Sequence, residues 1–223
     1  MNRLRFEYWS DPLCIWAFVA QPKLAHLVEA WGPHLDIAYR IVPVFGSVPQ
    51  RFREGDWAAK GPAGKRDVTR EVAERFGRKD VSGEVWVADP PASSWASGAA
   101  AKAAFLLEAR GEAEPGAGAR YLWALREAFL LENRNVARRD VAIDVARSAG
   151  LPVSSFERIL DDGSALAALF EDDEARKASN VRGSPTYVFD GGRAILYGNF
   201  PAAILNATVE ELLRGLGVGA SSC

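Results

Sequence analysis

The chain of 223 residues is poor in the side chains that build covalent frameworks and metal centres: two cysteines, Cys14 and Cys223, two histidines, His26 and His34, and one methionine. A structural disulfide between the two thiols is not expected in a reducing compartment, so each cysteine is read by itself. No Cys/His/Asp cluster occurs at ligand spacing, and no dedicated metal site is expected. Charge of one sign is also lacking, with 27 Lys and Arg against 29 Asp and Glu and a formal net charge of -2. That balance offers no general attraction to nucleic acid or to an anionic membrane, and neither is expected as a partner. Long apolar runs of the kind that form leaders or membrane spans are missing, so a cytoplasmic location is expected.

What is present is an apolar fraction of 48%, ample for a packed core in one domain or in one domain with a large insertion. Leu4, Phe6 and Tyr8 alternate with Arg3, Arg5 and Glu7, a strand pleat. Ser10-Asp11-Pro12 then turns the chain, and Leu24, Leu27, Val28 and Trp31 follow at helical spacing, which puts Cys14 near a helix N-terminus. Asp36 to Val44 reads as a second strand, parallel to the first. Phe45 to Gly64 has no clear period and is expected to be a long loop or lid, carrying Arg51, Arg53 and Lys60. Asp67 to Gly77 is helical through Val68, Val72 and Phe76, and Val85-Trp86-Val87 reads as a short extended piece before Pro90-Pro91.

Beyond that break, helices are expected over Ala99 to Arg110, Ala119 to Leu131 and Val141 to Ala149, then from a capping box at Ser154-Ser155-Phe156-Glu157, then from Leu166 to about Asn180. Thr186 to Phe189 and Ala194 to Tyr197 form a hairpin across Asp190-Gly191-Gly192. A last helix after Pro201 carries the stripe Leu205, Val209, Leu212, Leu213, Leu216. The order is β-α-β, a block of helices, then β-β-α, with no internal repeat.

Cys14 is the first chemical candidate, since a thiol at a helix start meets unpaired amides and the positive end of the macrodipole, which favour the thiolate. The competing reading is a small buried hydrophobe. Trp9 and Trp16 flank it in sequence and are expected to wall an apolar pocket. The second candidate is Gly183-Ser184-Pro185-Thr186. A cis X-Pro bond there leaves the preceding backbone free to pair with an extended ligand, although a trans proline at a strand start explains the motif as well. Ser93 and Ser94 precede a helix whose amides suit an anion, and Arg51 or Arg53 suits a carboxylate; ordinary capping and solvation are the plainer readings. His26 lies about three turns from Cys14 along the helix and reads as a surface residue.

The opening strand, Asp11-Pro12-Leu13-Cys14-Ile15-Trp16-Ala17, the helical insertion, Val181 to Phe189 and Gly198-Asn199-Phe200 together resemble the DsbA family of the thioredoxin superfamily, near the cytoplasmic branch holding kappa-class glutathione transferases and 2-hydroxychromene-2-carboxylate isomerases. The resemblance spans nearly the whole chain. It implies an α/β, thioredoxin-like fold (residues 1–90 and 181–223) with an inserted all-helical subdomain (91–180). It also implies Cys14 as nucleophile, Pro185 as a cis-proline facing it, and Ser184 offering its backbone to a bound thiol. Trp9, Asp11, Pro12, Trp16, Ser184 and Pro185 are then expected around the substrate, with Ser184 and Asn199 at a low-molecular-weight thiol such as glutathione or mycothiol.

The departure from the family is Ala17, where redox members carry a second cysteine; the motif is CxxA. Alanine cannot resolve a mixed disulfide, so dithiol turnover is not expected, and Cys223 on a terminal tail is a weak substitute. The expected function is a single-cysteine enzyme for cis-trans isomerisation of, or thiol addition to, an unsaturated small molecule. A monothiol oxidoreductase resolved by an external thiol and a non-catalytic binding protein are the alternatives, and homodimerisation is compatible with each.

Overall fold

The computed structural model describes residues 3–215, so Cys223 and the end of the terminal stripe at Leu216 lie outside the described residues. The chain opens as β1 (Leu4–Ser10), α1 (Ile15–Trp31) and β2 (Leu35–Ile41), with the strands parallel and Leu4 opposite Leu35, Ser10 opposite Ile41. Between the second and third strands run α2 (Val48–Arg53), α3 (Gly61–Arg75), α4 (Val85–Ala88), α5 (Trp95–Ala109), α6 (Ala117–Leu130), α7 (Arg139–Ser148), α8 (Val153–Asp161) and α9 (Ser164–Ala178). Then come β3 (Thr186–Phe189), β4 (Ala194–Tyr197) and α10 (Ala202–Gly215). The sheet order is β2-β1-β3-β4, with β3 antiparallel to both its neighbours. This is the α/β thioredoxin-like arrangement that the sequence implied.

β1 is covered on both faces, which is why only Arg5 of its residues is exposed. Leu4, Phe6 and Tyr8 pack on Leu24 and Leu27 of α1 and on Leu205 and Val209 of α10. On the opposite face Trp9 packs with Val42, Val181 and Val188. A third, larger cluster joins the helices and takes in Leu13, Cys14, Ile15, Ala17 and Phe18. The first turns of α1 therefore belong to the helical core and its later turns to the sheet. Each large apolar side chain fully withdrawn from water there contributes about 1.5–3 kcal/mol.

Several local expectations are corrected. Phe45 to Gly64 is not an open loop: Ser47 caps α2 by accepting the Gln50 amide at 3.3 Å, a 3-10 turn follows at Gly55–Trp57, and α3 begins at Gly61. Helices this short show no apolar period, so only their start signals, Ser47 and Pro49, were legible. Val85-Trp86-Val87 is helical rather than extended, and buried Val85 and Trp86 hold that turn in the core. α8 begins at Val153 behind Pro152, leaving Ser154 and Ser155 inside its first turn with no capping bond. The expected hairpin across Asp190–Gly192 is present, its connection a 3-10 turn in which Gly191 and Gly192 take positive φ of 66° and 104°, a region open to glycine.

Candidate active site

The site is built where β1 ends. The chain leaves the sheet after Ser10, turns through Asp11-Pro12-Leu13, and enters α1 with Cys14 as its N-cap residue in extended geometry. Asp11 is wholly buried and ties the turn together. Its Oδ1 accepts the Leu13 amide at 2.7 Å, its Oδ2 accepts the Val44 amide at 2.7 Å, and its own amide donates to the Ser184 Oγ at 2.9 Å. Burial nevertheless outweighs these donors and lifts the Asp11 carboxyl from the usual 3.8 to about 6. Behind the turn, buried Arg126 of α6 donates to Ser10 Oγ at 2.6 Å and to Gln21 Oε1 at 2.9 Å, locking the helical core to β1 and α1.

Cys14 is 5% exposed. Its Sγ donates to the Ser184 carbonyl at 3.4 Å, and the Ser184-Pro185 peptide bond is cis. The cis-proline loop is held by Thr186 Oγ1 donating to the Gly183 carbonyl at 2.8 Å and by the Gly198 amide donating to the Pro185 carbonyl at 2.8 Å. Tyr197 lies against Gly183, where a Cβ would come 2.6 Å from its hydroxyl and displace that exposed ring. The electrostatics of the thiol correct one expectation. Burial pushes the Cys14 thiol above its ordinary 9.0, against the lowering effects of the Ser184 hydroxyl, the Ala17 amide and the Lys65 charge; Asp11 raises it further. In this closed arrangement desolvation exceeds what a helix start supplies, and the resting group is the neutral thiol.

The remaining candidates separate. Trp16 is 40% exposed and meets Phe76 edge to face at 6.0 Å, at the rim beside the thiol. Pro12 is buried in the turn. Trp9 does not wall a pocket: it is fully buried on the far face of the sheet, its Nε1 donating to Glu7 Oε2 at 3.3 Å, because successive residues of a strand point to opposite faces. Asn199 accepts from Lys23 Nζ at 2.6 Å, two and a half turns along α1 from Cys14, so its carbonyl oxygen is engaged away from the sulfur. Ser93 and Ser94 serve the fold: Ser93 Oγ accepts the Trp95 amide at 3.1 Å, and buried Ser94 Oγ accepts the Phe45 amide at 3.2 Å. Arg51 donates to the Val44 carbonyl at 2.6 Å and lies over Trp57 and Phe45, while Arg53 and His26 are exposed.

Sequence reasoning missed Lys65. Its Nζ sits 4.6 Å from the Trp57 ring centre, 5.0 Å from Trp86 and 5.3 Å from Phe45, in a box of three mutually packed rings. Burial lowers the ammonium from its usual 10.5 to about 8; Cys14 and Asp11 oppose the shift and Arg51 adds to it. The available signal was a run of aromatics and cations, Phe45, Arg51, Trp57, Lys65 and Trp86, spread over a stretch without period. Among the described residues no group of three His, Cys, Asp or Glu side chains is placed to hold a metal ion, and no helix is long and apolar enough to cross a membrane.

A thioredoxin-type sheet, a cysteine at the start of the first helix and a cis-proline loop against its sulfur define the class. The chain belongs to the DSBA-like thioredoxin domain family, whose model matches residues 5–210. It is 33% identical over 220 residues to the ClpXP adapter protein SpxH of Halalkalibacterium halodurans, across 94% of this chain and 68% of that protein. Among solved structures it is similar to the cytosolic disulfide reductase DsbM of Pseudomonas aeruginosa, with 23% identity, a TM-score of 0.69 and coverage of 95% and 99% of the two chains. It is also similar to a 2-hydroxychromene-2-carboxylate isomerase, with 18% identity, a TM-score of 0.62 and coverage of 97% and 100%. At these identities the two structures bear on the fold alone.

Proposed function

We propose that the protein is a single-cysteine enzyme in which Cys14 adds reversibly to an unsaturated, electrophilic small molecule and isomerises it. The observation that carries this reading is an enclosed sulfur, 5% exposed, with buried Ala17 where a resolving thiol would stand. A sulfur without a resolving partner suits chemistry that returns it unchanged. The deprotonated Sγ adds to the β-carbon of a conjugated carbonyl compound, forming a C–S bond while the π pair moves to the carbonyl oxygen. The former double bond rotates, and the pair returns to expel the sulfur and restore the alkene. Trp16 at the rim and the Ser184 carbonyl at the sulfur are the proposed substrate contacts.

Enclosure also favours a small reactant over a protein disulfide. In a monothiol redox variant of this reading, glutathione or mycothiol supplies the resolving sulfur from the cytoplasm. The test uses conjugated cis-enediones followed by NMR. Wild type is expected to convert cis to trans, and Cys14→Ser is expected to lose at least about 10³-fold in rate. Equal rates in the two proteins overturn the covalent reading.

The 33% identity to a ClpXP adapter protein supports a second reading, in which the fold serves as a protein-binding adapter. The same substitution separates the two. Partner capture in the adapter reading is indifferent to Cys14→Ser, whereas turnover is not.

A further inference from the structure

We propose that the outer edge of β2 is a docking strand, which an extended, uncharged, apolar segment of a partner polypeptide joins through main-chain hydrogen bonds. β2 ends the sheet order β2-β1-β3-β4, so the ladder uses only one of its edges. Main-chain groups of successive residues point to opposite sides of a strand. The Val42 amide donates inward to the Ser10 carbonyl at 3.1 Å, and the Ile41 amide donates outward to Asp172 Oδ2 at 2.8 Å. Leu35, Ile37 and Tyr39 share the parity of Ile41 and also face outward. The Leu35 amide closes the preceding turn on the Gly32 carbonyl. Among the described residues no hydrogen bond reaches the outward N–H and C=O groups of Ile37 and Tyr39. An edge of this kind is a template for another strand.

The edge opens into a groove of about 460 Å³, with Ile37 to Arg40 on one side and Phe105 and Ala109 of α5 and Gly116 and Ala119 at the start of α6 on the other. Tyr39 stacks on Phe105 at 5.7 Å and gives the groove an apolar floor, while the small residues opposite leave room for side chains. Both charged residues that line it are already committed. Arg40 donates to Asp172 at 2.9 Å, and Glu108 accepts the Gly116 and Gly118 amides at 2.7 and 2.9 Å. The groove therefore complements a neutral occupant, and its row of outward donors and acceptors matches an extended main chain. A helix, whose main chain is paired internally, has nothing to offer that row. In a second copy β2 stands behind the same α5 and α6 wall, which keeps two such edges apart; a single strand has no wall of its own. Asp172 closes the row at Ile41 and the Gly32–His34 turn closes it at Leu35, so the match is about five residues, roughly 17 Å of strand. The groove shares no residue with the Cys14 turn or the cis-proline loop, and the proposal depends on neither reading of that thiol.

The test is amide hydrogen exchange by NMR in the full-length protein, with a capped five-residue peptide of alternating valine and threonine as the probe. At millimolar peptide the Ile37 and Tyr39 amides are expected to shift and to exchange at least about tenfold more slowly. The Ala38 and Arg40 amides, which face β1, are expected to keep their rates. The same peptide methylated at every amide nitrogen is expected to have no effect. Ala119→Leu fills the groove and is expected to abolish the response, and Ala109→Phe, on the exposed end of α5, gives the same comparison should the leucine variant fail to fold. Unperturbed Ile37 and Tyr39 signals overturn the proposal, as do an equal response at Ala38 and Arg40, an equal effect of the methylated peptide, or undiminished binding to the filled groove. Shifts confined to the cis-proline loop place the peptide at the thiol site instead and also overturn it. Protection of Ile37 and Tyr39 without peptide, rising with protein concentration, gives the edge to a second copy and overturns the proposed occupant.

Discussion

Asp11 shows how one residue near the sulfur reconciles structure and charge. Its carboxyl receives main-chain donors from its own turn and from the segment after β2, yet burial holds its pKa at about 6. Because the folded value is raised above the unfolded 3.8, the group contributes stability that is full below about pH 4 and is lost as pH rises through about 6. A carboxyl-carbon NMR titration of Asp11 is expected to have its midpoint near 6; a midpoint near 4 would remove the claim. Asp11, Cys14, Ser184 and Pro185 were legible because the turn and the proline motif stand as short contiguous strings. The direction of the Cys14 shift was not, since it depends on how much hydrocarbon closes over the sulfur. Trp9 was misplaced because nearness in sequence says nothing of which face of a strand a ring takes. Lys65 is brought to the site by folding alone.

At the scale of elements, the longer helices were readable from their apolar spacing and the strands from alternation, while short helices escaped notice. The junction of α5 and α6 illustrates what spacing conceals. Glu108, near the end of α5, accepts the Gly116 amide at 2.7 Å and the Gly118 amide at 2.9 Å, so one helix caps the next. A capping box seeks its acid a few residues inside the same helix, and this acid stands before it. Close approach is secured by Gly118, where a Cβ would meet the Phe105 ring at 2.2 Å. Glu108→Ala leaves both amides without this acceptor and is expected to cost about 1–2 kcal/mol. Thermal denaturation of the variant checks this, and an unchanged midpoint would show that solvent replaces the cap at no cost.

Across the whole molecule the helical core and the sheet are joined by polar as well as apolar contacts. Asp172 of α9 is fully buried and receives Arg40 at 2.9 Å, the Ile41 amide at 2.8 Å and Lys102 of α5 at 2.8 Å. No local pattern announces such a contact, because its members are 70 to 132 residues apart in the chain. Removing the carboxylate strands Lys102 and leaves Arg40 only its longer contact to Glu7 at 3.6 Å, so Asp172→Ala is expected to destabilise the fold by about 3 kcal/mol, measured by denaturant unfolding. Loss of less than about 1 kcal/mol, the range of an exposed pair, would show that the seam does not depend on it.

The bonds that enclose the sulfur have a reach of their own: the Asp11 amide to Ser184 spans 173 residues, and the sulfur to the Ser184 carbonyl 170. No stretch of the polypeptide short of nearly its full described length can therefore reproduce that enclosure. A fragment ending before Gly183 still bears Cys14 but lacks the hydroxyl that receives the Asp11 amide and the carbonyl that receives the sulfur. That side of the sulfur is closed only when the cis-proline loop and the strand after it join the first strand.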